Sequence, residues 1–311
     1  MMNMIKKFTI NKFVVTTLSL TLLIMFYFFP SNKDFNTEVI VNEENKDEQI
    51  VYLLDKDNYV AKVITYFDSE TIIKTIKNKI MVLINGDENL NNFYSLIPKN
   101  TVLLSVEVKE ENVYLNFSKA ILEVNKYLEE EMIESIVYSL TEINGINNIY
   151  IKVEGEELTK LPHSKKELSY PLTRNYGINK RYDLINLNDI TKTTVVFAKE
   201  VDDYLYYVPV TKVSNAASSK IDIIIEELKS LVNAQDNLCS LPSGLILEDY
   251  DEMDNKMNLV FNDYIFNDSS SKVILEEVKY TISKSIFENY NVKEVIFNTK
   301  EHKNIASVNK N

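Results

Sequence analysis

Residues whose types suit catalysis are scarce in this sequence, and those present do not form a recognisable site. His163 and Ser164 follow the glutamate-rich residues 154–157, but a hydrolytic triad is defined by geometry and not by closeness along the chain. The acidic run at residues 248–254 lacks the glycine and the distal glutamate of a calcium-binding loop. Cys239 has no second thiol with which to form a disulfide or redox pair. We therefore predict no catalytic residue, no metal site and no cofactor.

Composition narrows the function classes further. The chain has 311 residues, with 34 Lys and Arg against 46 Asp and Glu, and hence a net charge of −12. Nucleic-acid binding normally needs a basic surface, so we predict no nucleic-acid partner. Five glycines serve the whole chain, and neither G-x-G-x-x-G nor a P-loop occurs.

Four residues are candidates for interaction instead of catalysis. Arg174 and Arg181 are the two arginines of the sequence. Because arginine makes forked contacts that lysine cannot, we expect them to hold a connector between domains, with an ordinary surface role as the alternative. Tyr204 and Tyr206 share a predicted strand, where packing is the usual role of aromatic side chains. The alternative is an exposed partner surface.

The amino end predicts a membrane anchor. Lys6, Lys7 and Lys12 precede an uncharged run at residues 13–29, which Pro30 closes. As a helix this run would span roughly 26 Å, about the thickness of a bilayer core. No small-x-small cleavage site follows, so we predict a cytoplasmic stub and an uncleaved signal anchor in residues 1–30, a cleaved signal peptide being the alternative. We therefore predict a single-pass protein of the cell membrane, and the positive-inside rule places its carboxyl-terminal domains outside the cytoplasm.

Beyond the anchor, the pattern predicts an α+β fold with an internal duplication. Residues 31–49 form a polar tether, and two modules with the order ββαββαβ follow, each predicted as one sheet with its helices packed on one face. The first module is predicted at residues 50–158 and the second at residues 193–303. The connector between them is predicted at residues 159–192, and a tail follows at residues 304–311.

Three landmark pairs support the duplication. Pro98 and Pro242 are 144 residues apart, as are Phe117 and Phe261, while Tyr138 and Tyr280 are 142 apart. A nearly constant offset through strand, hairpin and helix is typical of divergent repeats.

The first module carries motifs of a known family. They lie at residues 96–106, 113–118, 136–146 and 149–155, and the connector at residues 170–180 looks like the segment between two copies in longer members. In these stretches the sequence resembles the GerMN domain of the GerM family of sporulation and spore germination proteins. The second module matches mainly in element order and hydrophobic pattern.

The resemblance implies a fold like the ring-building modules of secretion systems and of the mother cell–forespore channel. It implies an assembly or scaffold role, with envelope and sporulation proteins as partners, including a ring-forming channel complex. No catalytic residues are carried over from the family. Two other function classes stay open, a glycan-processing enzyme of the cell wall and a ligand-binding germination module.

Overall fold

A computed structural model of the chain describes residues 47–201, 204–215, 218–230, 238, 241–267 and 272–310. The predicted anchor at residues 13–29 and Cys239 lie outside these described residues. In the part of the chain that is described, no helix has both the length and the apolar character needed to cross a bilayer.

The first domain follows the predicted order ββαββαβ, with two short strands added. Its strands are β1 (Asp47–Asp55), β2 (Val60–Phe67), β3 (Phe93–Tyr94), β4 (Leu103–Lys109), β5 (Asn112–Phe117), β6 (Asn148–Val153) and β7 (Glu156–Glu157). Its helices are α1 (Ile72–Asn85) and α2 (Glu129–Leu140). Strand β1 begins inside the stretch predicted to be a tether.

The second domain repeats this order after the connector, which contributes the short strand β8 (Arg181–Asp183). Its strands are β9 (Thr191–Val201), β10 (Tyr204–Ser214), β11 (Leu247–Met253), β12 (Lys256–Phe261), β13 (Glu294–Thr299) and β14 (Ala306–Asn309). Its helices are α3 (Lys220–Leu228) and α4 (Glu276–Asn289). Strand β14 lies in the predicted tail and pairs with β13 in antiparallel fashion.

Each domain contributes strands to two sheets, so the prediction of one sheet per domain is wrong. The hairpin β1–β2 joins β9 and β10 in a shared sheet, whereas β4–β7 and β11–β14 form two separate four-stranded sheets. The physical reason lies in α2, which covers the outer edge of β1. The N–H of Tyr52 donates to Ser139 Oγ at 2.9 Å, and Ser135 Oγ donates to the Tyr52 carbonyl at 2.6 Å. Most of that edge is therefore closed to further strands.

The same edge contact recurs in the second domain. The N–H of Val196 in β9 donates to Ser285 Oγ of α4 at 2.8 Å. Val196 lies 144 residues after Tyr52, so the two bonds occupy equivalent positions. A buried backbone N–H needs such a partner, and a covered edge also prevents pairing with another chain.

The shared sheet has the internal symmetry of a two-fold arrangement. Its four longer strands run in the order β1–β2–β10–β9, with the short strands β3 and β8 paired to β1 and β10, and the equivalent strands β2 and β10 meet antiparallel in the middle. In the bridge between these strands, Lys62 pairs with Tyr207. The equivalent of Lys62 in the second domain is Tyr206, so each strand nearly meets its own counterpart. Because β1 is equivalent to β9 and β2 to β10, an approximate two-fold axis lies between β2 and β10.

The structure corrects one of the landmark pairs. Phe117 and Phe261 end β5 and β12, as equivalent residues should. The serines Ser139 and Ser285, by contrast, are 146 residues apart. Tyr138 is therefore equivalent to Lys284 and not to Tyr280, because the loop before α4 is longer than the loop before α2.

Candidate functional site

The junction between the domains contains a buried ion pair near the two-fold axis. Lys199 Nζ of β9 lies 2.7 Å from Asp55 Oδ2 of β1 and 2.6 Å from Asp57 Oδ2. Lys199 is 0% exposed and Asp55 is 1% exposed. The other Asp55 oxygen accepts the backbone N–H groups of Asp57 and Tyr59 at 2.9 and 2.8 Å. Each buried charge thus has the partners that burial requires.

Tyr206 belongs to this junction, and its interpretation as part of an exposed partner surface is wrong. Its side chain is 4% exposed, and its hydroxyl donates to Asp55 Oδ2 at 2.9 Å. Its ring meets the Phe93 ring edge-on at 5.0 Å between centroids. Tyr204 is 39% exposed and also contacts Phe93, at 6.0 Å. The first domain covers this face of β10. The residue pattern of a single strand does not show such coverage by a distant part of the chain.

Arg174 of the connector lies between equivalent residues of the two domains. Its Nη2 donates to Glu142 Oε1 at 2.6 Å, and its Nη1 donates to Glu288 Oε1. Glu142 and Glu288 are 146 residues apart, the offset of the two edge-binding serines. Arg174 Nε donates to Thr141 Oγ1 at 3.0 Å, and the guanidinium lies 4.7 Å from the Tyr138 ring centroid. One side chain therefore binds both domains at their symmetry axis.

Glu142 and Arg174 stay ionised at neutral pH. Burial by itself would raise the pKa of Glu142, but Arg174 and Lys62 outweigh it and lower the pKa to about 2. The Tyr52 hydroxyl also donates to Glu142 Oε1 at 2.8 Å. Burial opposes the charge of Arg174, yet Glu288 and its other neighbours raise the pKa of Arg174 above its ordinary value.

Two further connector residues close the gap between β2 and β10. Asn179 Nδ2 donates to the carbonyl oxygens of Val60 and Pro209, at 2.9 and 2.7 Å, and Asn179 Oδ1 accepts the N–H of Val60 at 2.8 Å. Arg181 Nη2 donates to the Tyr59 hydroxyl at 2.7 Å. Since β8, which carries Arg181, pairs with β10, this contact joins the second domain's side of the sheet to the first domain.

A cleft of about 850 Å³ opens beside Arg174 and is lined by both domains and the connector. The turn after α2 forms one wall, and α4 forms another with Tyr280, Lys284 and Phe287. The cations that line it are Lys62, Arg174, Lys284, Lys293 and Lys310, and the carboxylates are Glu142 and Glu288. The cleft therefore carries a formal excess of three positive charges within an acidic protein.

The residues first considered for catalysis lie elsewhere. The His163 ring nitrogen Nε2 bonds to the Val124 carbonyl at 2.7 Å, and the backbone N–H groups of His163 and Ser164 donate to Glu129 at 2.8 Å each. These contacts fix the start of the connector. Most of the acidic run at residues 248–254 forms the exposed edge strand β11.

Sequence reasoning missed Asp55, Lys199 and the glutamate pair. A signal was available, because Asp55 and Lys199 are separated by the repeat offset of 144 residues and carry opposite charges. Lys199 also ends the apolar run at residues 195–198, where a lysine would need a buried partner.

Comparisons with known proteins agree with this architecture. A family model described as "Germane: Sporulation and spore germination" matches residues 50–159. The spore germination protein GerM of Bacillus subtilis (strain 168) is 30% identical over 266 residues, which cover 79% of this chain and 69% of that protein.

A solved structure extends the likeness to both domains. The tandem GerMN domains of the B. subtilis sporulation protein GerM match with a TM-score of 0.74 and 25% identity, covering 84% of this chain and 93% of that one. The chain therefore belongs to the GerM family of sporulation and spore germination proteins, and it carries two GerMN domains in tandem.

Proposed function

We propose that the chain is a membrane-anchored, extracytoplasmic protein that acts as a non-enzymatic assembly module of an envelope complex between mother cell and forespore. The observation that carries this proposal is the junction, where buried ion pairs and a shared sheet hold two GerMN domains at a fixed spacing. Linked binding surfaces gain from effective concentration only when their geometry allows both to engage. The apolar run at residues 13–29 supports the membrane anchor.

Both outer sheets offer an edge for a partner. Among the described residues, β4 and β11 pair along one side only, with β5 and β12 respectively. Val102 and Ile246, equivalent residues just before these strands, are 55% and 54% exposed. An open strand edge beside exposed apolar side chains is suited to strand addition by another protein. Envelope and sporulation proteins are the proposed partners.

The charge state of the cleft disfavours the glycan-processing alternative. A glycosidase needs one carboxylic acid that is still protonated near neutral pH, beside a second carboxylate. Here Arg174 binds both Glu142 and Glu288, and the pKa of Glu142 is lowered to about 2. Because Glu142 is ionised near neutral pH, it is poorly suited to act as the general acid.

A sporulation assay with junction variants tests the proposal. In cells that make only the variant chain, Arg174→Ala combined with Lys199→Ala should lower sporulation by about tenfold or more, because fixed geometry contributes on that scale to two-site binding. Arg174→Lys, which keeps the charge but loses the fork, should give a smaller defect.

The control lengthens the connector without touching the junction. A flexible Gly/Ser stretch of about ten residues after Leu187, which is 84% exposed, should leave sporulation normal. Normal sporulation by the double variant at wild-type protein level would show that the domains act independently, and the assembly proposal would fail.

A further inference from the structure

The cleft beside Arg174 has the size of a small-molecule site. Its volume of about 850 Å³ lies within the usual range for ligand pockets, roughly 300–1,000 Å³. It lies at a domain interface, where such sites are frequent. Nothing in the assembly role described above requires this space.

Some of the cations in the cleft are offset by carboxylates and others are not. Glu142 and Glu288 bind Arg174 and together offset the charges of Arg174 and Lys62, whose Nζ donates to the Tyr280 hydroxyl at 3.0 Å. The remaining cations are Lys284, Lys293 and Lys310, and none of them forms an ion pair with a carboxylate of the described residues. Three amines without carboxylate partners create a positive potential, which the low-dielectric walls of a cleft concentrate.

Aromatic rings hold two of these amines in place. Lys284 Nζ lies 5.4 Å from the ring centroid of Tyr280 and 5.8 Å from that of Phe287. Lys310 Nζ lies 5.9 Å from the Phe287 centroid and donates to the Phe287 carbonyl at 3.3 Å. Both lysines therefore flank one ring, so their positions are fixed before any ligand arrives.

The desolvation of Lys284 supports an anionic ligand. Burial lowers the pKa of Lys284, and the nearby charge of Lys62 lowers it further, while Glu142 and Glu288 offset only part of this shift. The negative charge of a bound anion would offset more of it. The first domain has no counterpart to this lysine, because its equivalent residue Tyr138 packs under Arg174. The anion-binding side of the cleft is thus a property of the second domain.

We infer that the cleft binds a small polyanion, a molecule or chain segment with at least two phosphate or carboxylate groups, through Lys284, Lys293 and Lys310. Several separate amines suit several anionic groups, whereas a lone carboxylate would be better matched by one arginine fork. The polyanion is either a free solute or a segment of a phosphate-rich wall polymer, and both present the same chemistry to the cleft.

Calorimetric titration of the full chain in neutral detergent tests this inference. Three probes are used at low ionic strength: inorganic tripolyphosphate, citrate and a poly(glycerol phosphate) oligomer. We expect one binding site per chain for at least one probe. Tighter binding of the oligomer than of tripolyphosphate would identify a polymer segment, and the reverse order would identify a free solute.

Matched lysine variants separate the cleft from general surface charge. Lys284→Gln with Lys310→Gln should weaken binding by about tenfold or more. Lys77→Gln with Lys303→Gln, at exposed positions outside the cleft, should leave it unchanged. Absence of binding for all three probes, several sites per chain, or equal losses in the two double variants would overturn the inference. None of these outcomes bears on the assembly proposal, because Arg174 and Lys199 are intact in every variant.

Discussion

Asp55 and Lys199 occupy the same position in the two repeats, yet they form a buried ion pair with each other across the two-fold axis at 2.7 Å. In a symmetric pair of identical domains this position would oppose two like charges. In this chain the two domains carry opposite charges at this position, so the contact is attractive. The junction therefore requires two domains that differ at this position, one with an acidic and one with a basic residue.

The buried pair predicts a large stability effect from one substitution. Lys199→Met should destabilise the chain by about 3 kcal/mol or more, because it leaves Asp55 buried without its cation. Lys166→Met, which removes a half-exposed pair with Glu130, should cost under about 1 kcal/mol. Urea unfolding of the full chain measures both. Equal costs would show that the buried pair of Lys199 stabilises the junction no more than a surface ion pair would.

Acid should loosen the contacts of Arg174. The pKa of Glu142 is about 2 in the folded chain, against an ordinary value of 4.5, so the unfolded chain takes up the proton first as pH falls. Its stabilisation, up to about 3 kcal/mol, is complete above pH 4.5 and is lost between pH 4.5 and 2. The stability difference between wild type and Glu142→Gln should shrink over that window. Glu88→Gln, at an exposed position, controls for the substitution itself, and a constant difference for Glu142→Gln would contradict the assignment.

Lys79 should show the opposite sign of pH dependence. It is 1% exposed, its amine donates to the Ile50 carbonyl, and burial lowers its pKa to about 8 from an ordinary 10.5. The folded chain releases this proton more easily than the unfolded chain, so the penalty is full below pH 8 and is relieved between pH 8 and 10.5. Lys79→Met should therefore stabilise the chain at pH 7 by about 1–3 kcal/mol.

The measurement is urea unfolding at pH 7 and at pH 10. The advantage of Lys79→Met should fall at pH 10 to about a quarter of its value at pH 7. Lys77→Met, on the exposed side of the same helix, should show no such change. A stabilisation as large at pH 10 as at pH 7 would mean that packing, and not charge, explains the gain.

The serines at the two helix–strand contacts should be worth similar amounts. Ser139→Ala and Ser285→Ala each leave one buried N–H, of Tyr52 or Val196, without its acceptor. Each should cost about 1–3 kcal/mol. Ser105→Ala, on the exposed edge strand β4, should be nearly neutral. A cost confined to one domain would show that the edge contact is not shared by both repeats.

Element order and the duplication could be predicted from sequence because they rest on local periodicity and on a constant offset. The division into sheets could not. It depends on Ser135 and Ser139, which the helical pattern treats as outward-facing polar positions although both bind the edge of β1. A short polar side chain looks the same in sequence whether it meets water or a backbone.

The candidate site was predictable in part. Arg174 was notable for its rarity among many lysines, and the structure places it between two glutamates. The alternative of an exposed Tyr206 failed because the first domain, far away in sequence, covers that face of β10. Asp55 and Lys199 could be paired only by comparing the repeats position by position.

The two open edges give the molecule a polarity. Strands β4 and β11 are equivalent in the two repeats, but their side chains differ. β4 has Glu107 beside Lys109, whereas β11 carries four carboxylates and no cation, at Glu248, Asp249, Asp251 and Glu252. A basic strand would be attracted to the acidic edge of β11 and not to the neutral edge of β4, so an added strand could distinguish the two edges by charge.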